Sequence, residues 1–358
     1  MKYIDEYRDS KLVEKLSSAI FRETRHRIRI MEVCGGHTLA IRKFGIQRLL
    51  PEKIELLSGP GCPVCVTDRT SIDRAIRLAR LPGVIITTYG DLIRVPGSGS
   101  NLNQEKALGA DVRIVYSTLE ALTIAKDNPG KQVIFLGIGF ETTTPSSAVA
   151  LWEASRQGIS NFYLLSMHKV MPPAMAALIE QGIHIDGYIG PGHVTTIAGA
   201  DMYRPLVEKF RISVVVSGFE PLDILQSVYM LVKMKEEGRY GTEIQYKRAV
   251  TPEGNMKARE MVARFFEPGT DSWRGLGAIS GSGMKIRDEY RSLDAEKEFD
   301  VRVEPVPEPK GCICGEVLRG LKRPDQCKLF AGVCTPSNPV GACMVSGEGA
   351  CQAYYNYR

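Results

Sequence analysis

Residues 27–38 read RIRIMEVCGGHT. The first seven alternate toward an apolar end and read as a β-strand. Gly35-Gly36 ends it, and a helical stretch follows to Leu50. Cys34 therefore stands at the carboxyl end of a strand, with His37 three residues on and Thr38 a candidate helix N-cap. In open α/β sheets, sites form just beyond the carboxyl ends of the strands. The two glycines let other groups approach the backbone there closely.

The same rhythm continues outward. Ile54 to Leu57 is a short strand, followed by Gly59-Pro60-Gly61 and a helix from Arg69 to Leu81. VIITT (84–88) and Val112 to Ser117 are further strands. It then restarts with QVIFLGI (132–138), a helix from Ser146, a strand from Asn161 to Ser166 and a helix from Pro173. A strand from Ile185 to Ile189, a second Gly-Pro-Gly at 190–192, ISVVVS (212–217) and a helix from Leu222 to Glu237 close the series. Short apolar strands alternating with helices predict βαβ units and parallel sheets covered on both faces. His37 and His168 are 131 residues apart, as are the two Gly-Pro-Gly turns, which suggests a duplicated α/β unit. Past Arg239, Gly and Pro cluster in GLGAISGSG and PVPEPKG, and the chain reads as a third, irregular region. The segment before residue 26 has helical spacing (Leu12, Leu16, Ile20). A helix over Ile4 to Arg25 is expected.

Composition narrows the function. With 358 residues, 44% of them hydrophobic and 24% charged, the chain can bury the cores of two or three domains. A net charge of 46 − 41 = +5 with no basic stripe argues against nucleic acid. No apolar run approaches the ~18 residues of a membrane span, and MKYIDEYRDS (1–10) is no secretory signal. A cytoplasmic protein is expected.

Nine cysteines are the informative count. In a reducing compartment they are metal ligands or redox thiols rather than staples. Cys34, Cys62 and Cys65 lie near the start; six more fall in the last 47 residues. Cys312, Cys327, Cys334 and Cys351 are separated by 14, 6 and 16 residues, without the close knuckles of structural zinc and with no histidine in the tail. Four spread thiolates on loops fit a [4Fe–4S] cluster better than zinc or disulfides. Cys62-Pro-Val-Cys65, after a strand and turn and before a helix, resembles a thioredoxin-type redox pair, in which a helix N-terminus favours the thiolate. Weaker candidates are Glu141 in Glu-Thr-Thr-Thr, read as a helix cap, and His193 after Gly-Pro-Gly, either a site residue or a hydrogen-bonded turn histidine. There is no complete GxGxxG and no phosphate loop.

Together, MEVCGGHT (31–38), SGPGCPVC (58–65), GFETTTP (139–145), GPGHV (190–194) and CKLFAGVCTP…GACMVSGEGAC (327–351) resemble the hydrogenase maturation factor HypD family over essentially the whole chain. The resemblance implies an α/β fold of two related parallel-sheet domains plus a smaller irregular iron–sulfur domain. The expected division is a helical segment 1–26 packing on the third domain, α/β domains at 27–118 and 119–238, and a [4Fe–4S] domain at 239–358. It implies an assembly scaffold with redox chemistry rather than a conventional turnover enzyme. With the chaperone HypC, and with HypE as cyanide donor, it would build the Fe(CN)₂CO group of [NiFe]-hydrogenase. Carried over by motif, Cys34 is the iron ligand supported by His37, and Cys62 and Cys65 are the redox pair. Cys312, Cys327, Cys334 and Cys351 hold the cluster, and Cys314 with Cys343 form a second dithiol. The competing readings are a cluster-dependent thiol–disulfide reductase and a zinc-binding structural protein.

Overall fold

The computed structural model describes residues 5–357; the start of the expected first helix, at Ile4, lies outside them. The fold is α/β, with two parallel sheets and one small antiparallel pair. One sheet has five strands in the order β2-β1-β7-β8-β9: β1 Ile28–Glu32, β2 Ile54–Ser58, β7 Gly187–Pro191, β8 Ser213–Ser217 and β9 Thr242–Ile244. The other has four in the order β4-β3-β5-β6: β3 Val84–Thr88, β4 Asp111–Ile114, β5 Gln132–Gly139 and β6 Phe162–His168. All of these pairings are parallel. Strand β5 is buried at every position after Gln132, as its unbroken apolar run requires in a sheet covered on both faces. No helix among the described residues is long and apolar enough to cross a membrane.

The strands are not divided between the sheets in chain order. Residues 27–118 supply β1 and β2 to one sheet and β3 and β4 to the other. The boundary expected at 118/119 therefore falls within the four-stranded sheet, between β4 and β5. That sheet is built wholly from 84–168, and the chain then returns to complete the first one. The 131-residue offset does not map one sheet onto the other either. Both Gly-Pro-Gly turns close strands of the same sheet, β2 and β7, which flank β1 on its two sides.

Two other expectations are corrected. The N-terminal helix α1, Ser10–Glu23, is capped by the Asp9 carboxylate, which accepts from Leu12 N at 3.0 Å. It packs on the helix Pro221–Glu236 of the five-stranded unit, not on the cysteine-rich region. Its Ile20, fully buried, joins the cluster of Ile28, Ile30, Val228 and Leu231, a burial worth about 2 kcal/mol. The stretch after Arg239 is also more ordered than its Gly and Pro content suggests. Strand β9 completes a sheet, and the helix Met256–Phe265 packs on the helix Thr144–Gln157. GLGAISGSG enters an antiparallel hairpin of β10, Phe266–Trp273, and β11, Gly277–Ile286. Buried Trp273 anchors that hairpin by donating from Nε1 to Ser282 Oγ at 2.8 Å. Irregular chain is confined mainly to the segment after Glu298, which carries the six late cysteines.

Candidate functional site

The chain leaves β1 for β2 on one side and later enters β7 on the other. The crevice between the carboxyl ends of β1 and β7 is thus the topological switch point of this sheet. Cys34 occupies it. Cys34, not Thr38, is the N-cap position of helix α2, Gly35–Lys43. Thr38 lies in the first turn and donates through Oγ1 to Glu32 Oε1 at 2.5 Å. Glu32 also accepts from Cys34 N at 3.0 Å, so one buried carboxylate fastens both ends of the Cys-Gly-Gly-His turn. Burial pushes that carboxyl up to about 8, against the hydrogen bonds from Thr38, Cys34 N and Ser58. Glu32 carried no sequence signal of its own beyond its place in the strand.

The two Gly-Pro-Gly turns bring one residue each to Cys34. From β7, His193 Nδ1 comes to 3.7 Å from Cys34 Sγ, so His193 is a member of the site. From β2, Gly61 passes so close that a Cβ on it would lie 2.0 Å from Cys34 N, and Gly35 N donates to Gly61 O at 3.2 Å. A Cβ on Gly35 would meet Cys62 Cβ at 3.2 Å and Glu348 Cβ at 2.6 Å. Glu348, another residue without a prior signal, thus approaches from the C-terminal segment. Burial pushes the Cys34 thiol up; the N–H groups of His37 and Gly36 oppose that, while Glu348 and Glu32 add to it. His37 is fully buried, stacks on Phe219 at 4.7 Å and donates from Nε2 to Gly218 O at 2.9 Å. Burial lowers its pKa to about 4, so the ring is neutral.

Cys62 is the N-cap of the single-turn helix α3, Pro63–Val66, and Cys65 lies inside it. The expected helix-lowered thiolate is not found at Cys65. Contacts with Cys343 and Cys62, together with burial, raise its pKa well above the ordinary thiol value. The acidic thiol is Cys343 instead, which hydrogen bonds with Cys314, Cys351 and Cys65 pull well below that value. Cys314 contacts both Cys351 and Cys312. Cys327 Sγ meets Gly311 O at 3.8 Å, beside Cys312, and Cys334 Sγ accepts from Val340 N at 3.4 Å. All nine thiols are free. A chain of thiol contacts therefore runs from Cys62 to Cys65, Cys343, Cys314 and Cys312, and its first member sits on the turn that packs against the Cys34 backbone.

Two residues shape the inner end of this line. A Cβ on Gly341 would lie 2.5 Å from both Cys312 Sγ and Cys314 Sγ, so only glycine leaves room there. Arg274, 2% exposed, donates to Thr67 O at 2.9 Å and pairs with Glu308, placing a buried cation in the field of Cys314 and Cys343. Among the described residues no three His, Cys, Asp or Glu side chains are grouped to hold a single metal ion. A four-iron cluster asks for something else, one thiolate per iron, and the donor set here is all sulfur in a glycine-lined cradle. The all-cysteine chemistry of this segment is of the kind such a group takes.

Glu141 caps a helix, but not the one that follows it. Its Oε1 accepts from Met171 N at 3.0 Å, at the start of the helix Met171–Glu180. The helix Thr144–Gln157 begins without a side-chain cap.

Comparison with known proteins covers the same span as these features. A family model, HypD, described as "Hydrogenase formation hypA family", matches residues 10–358. The chain is 47% identical to hydrogenase maturation factor HypD2 of Bradyrhizobium diazoefficiens, over all of this chain and 97% of that protein. It is 47% identical to HypD of Azotobacter vinelandii, covering 100% and 97% of the two chains. Against HypD of Escherichia coli the identity is 45%, covering 100% and 98%. Matches of this length and identity, spanning both sheets and all nine cysteines, make the chain a member of the HypD family of hydrogenase maturation factors.

Proposed function

We propose that this protein, with a HypC-type chaperone, is the scaffold on which the Fe(CN)₂CO group of [NiFe]-hydrogenase is assembled, with cyanide delivered by HypE. The observation that carries the reading is the line of thiols from Cys62 and Cys65 through Cys343 to Cys314 and Cys312, which begins on the turn packed against that of Cys34. Cys34 is the iron ligand, and the iron is the cargo. Low-spin Fe(II) carrying strong-field ligands suits a soft thiolate. Glu32 fixes the turn that presents Cys34, while Phe219, stacked on His37, walls it.

Cyanide release from a thiocyanate needs two electrons, and the Cys62/Cys65 dithiol beside Cys34 supplies them. The balance is R–SCN plus two protein thiols, giving R–SH, HCN and one disulfide; the S–CN bond breaks and an S–S bond forms. Cys314 and Cys343 form the second dithiol, in contact with the first through Cys65. Cys312, Cys327, Cys334 and Cys351 would hold a [4Fe–4S] cluster, which supplies low-potential electrons when bound.

Co-purification with the chaperone under anaerobic conditions tests the reading. Wild-type protein should show infrared bands of iron-bound cyanide and carbon monoxide. Cys34→Ala should lose at least about 90% of their intensity while remaining folded, since it removes the ligand atom itself. Bands of wild-type intensity in Cys34→Ala would rule out the ligand role.

A further inference from the structure

The hydrogen bond that fixes His37 does not end at Gly218. Gly218 O accepts from His37 Nε2 at 2.9 Å, and the N–H of the same residue donates to Gln245 Oε1 at 3.0 Å. Gln245 Nε2 donates to Asp223 Oδ1 at 2.9 Å. Asp223, fully buried, takes both arms of Arg248, at 2.8 Å to Oδ1 and 2.6 Å to Oδ2. Arg248 in turn lies over the rings of Tyr7 at 4.0 Å and Tyr246 at 4.3 Å. A Cβ on Gly218 would strike Asp223 Oδ2 at 2.3 Å, so glycine is what lets this peptide sit against the carboxylate.

A carbonyl only accepts, so Nε2 of His37 carries its proton. Nδ1 then holds a lone pair, and it is buried without a partner among the described residues. A buried unpartnered acceptor costs stability, so something must hold the ring in this state. Imidazoles that present one nitrogen to a ligand usually have the other tied to a carbonyl or carboxylate.

We infer that Gln245 and Asp223 are positioning residues for His37: through the Gly218 peptide they hold its ring in the neutral Nε2–H tautomer and leave Nδ1 as the unpartnered acceptor in the first turn of the helix that Cys34 caps. The inference rests on the assembly reading only for its use and needs no iron for its test. Asp223 and Arg248 form the rigid end of the chain. Gln245 transmits their orientation to Gly218, and Gly218 sets the ring.

The chain has five histidines, so selective ¹⁵N-histidine labelling of the full-length, iron-free protein resolves them. His37→Gln identifies the signals of His37. In wild type, Nε2 should be of the protonated pyrrole type and Nδ1 of the bare pyridine type. Gln245→Leu should raise the Nδ1–H share about fivefold, the change expected for loss of one neutral hydrogen bond, with thermal unfolding showing an intact fold. Asp223→Asn should move it in the same direction. A proton on Nδ1 in wild type overturns the inference even if both variants fail to fold, and so does an unchanged tautomer in both folded variants. A shifted tautomer in preparations whose wild type binds no iron would sustain this inference and defeat the assembly reading. Iron–cyanide bands lost in Gln245→Leu at an unchanged tautomer would do the reverse.

Discussion

Buried ionisable residues around Cys34 and on the neighbouring sheet give the protein a stability window in pH. His37 titrates at about 4 and His168 at about 3 when folded, against 6.5 in the open chain, because burial excludes the charged ring. Below 6.5 the unfolded chain takes up protons that the folded one refuses. Stability from each histidine is therefore present above 6.5 and is lost as pH falls toward the folded values, up to about 3 kcal/mol for His37. Glu32 acts oppositely. Its folded pKa of about 8 lies above the ordinary 4.5, so its contribution declines as pH rises from 4.5 to 8. Urea unfolding across pH sums these opposing slopes, with Glu141, raised to about 7 by burial of its carboxyl, adding to that of Glu32. His37→Gln should flatten the acid limb; an acid limb as steep as wild type in His37→Gln would refute the assignment.

At the level of elements, the site is made by strand ends and the turns beside them. Strand β1 ends two residues before Cys34, between two Gly-Pro-Gly turns, and close backbone approach at Gly61 packs the turn that carries Cys62 against that of Cys34. Gly341 does the same for the late thiols. A methyl group there would collide with Cys312 Sγ and Cys314 Sγ at once, and overpacking of this kind typically costs ~1–3 kcal/mol. We expect Gly341→Ala to cut bound iron and sulfide by at least half, since ligand placement and metal binding are coupled. Ala342, Cys343, Met344 and Val345 beside it pack in the same buried cluster as Met31 and Leu136, so the thermal transition should also fall. Full iron and sulfide content in Gly341→Ala would show that the cradle has slack.

Across the whole molecule, thiols at residues 62–65 meet thiols near the C-terminus, the juxtaposition that the proposed electron route requires. Cys343 is the hinge of that route, touching Cys65 on one side and Cys314 and Cys351 on the other. Hydrogen bonds from its neighbours favour the deprotonated form of Cys343, and thiolates are what attack disulfides. In Cys314→Ser/Cys343→Ser first oxidised to pair Cys62 with Cys65, reduction of that disulfide after the cluster is reduced should slow about tenfold or more. Iron content and chaperone binding should persist. Alkylation and mass spectrometry of Cys62 and Cys65 read the rate, and a rate equal to wild type would remove the pair from any obligatory route.

The sequence by itself determined the alternation of strand and helix, because apolar runs and Gly or Pro turns act over a few residues. RIRIMEV, VIITT and QVIFLGI became strands, Cys34 fell just past a strand end, and Cys62 and Cys65 fell at the cap and within the short helix after the next strand and its turn. It also carried the family, through motifs spread over the chain. Only the tertiary structure decided which strand joined which sheet, since a crossover of similar length and composition can return to either sheet. For that reason β1 and β7 became neighbours, and His193 met Cys34 across 159 residues of chain. The same holds for α1, whose apolar stripe specifies burial but not a partner. Glu32, Gly341 and Glu348 lie inside the family motifs, but neither they nor Arg274 carry a local pattern that names a role. Their roles come from what faces them, and the facing residues are supplied by packing between segments far apart in sequence.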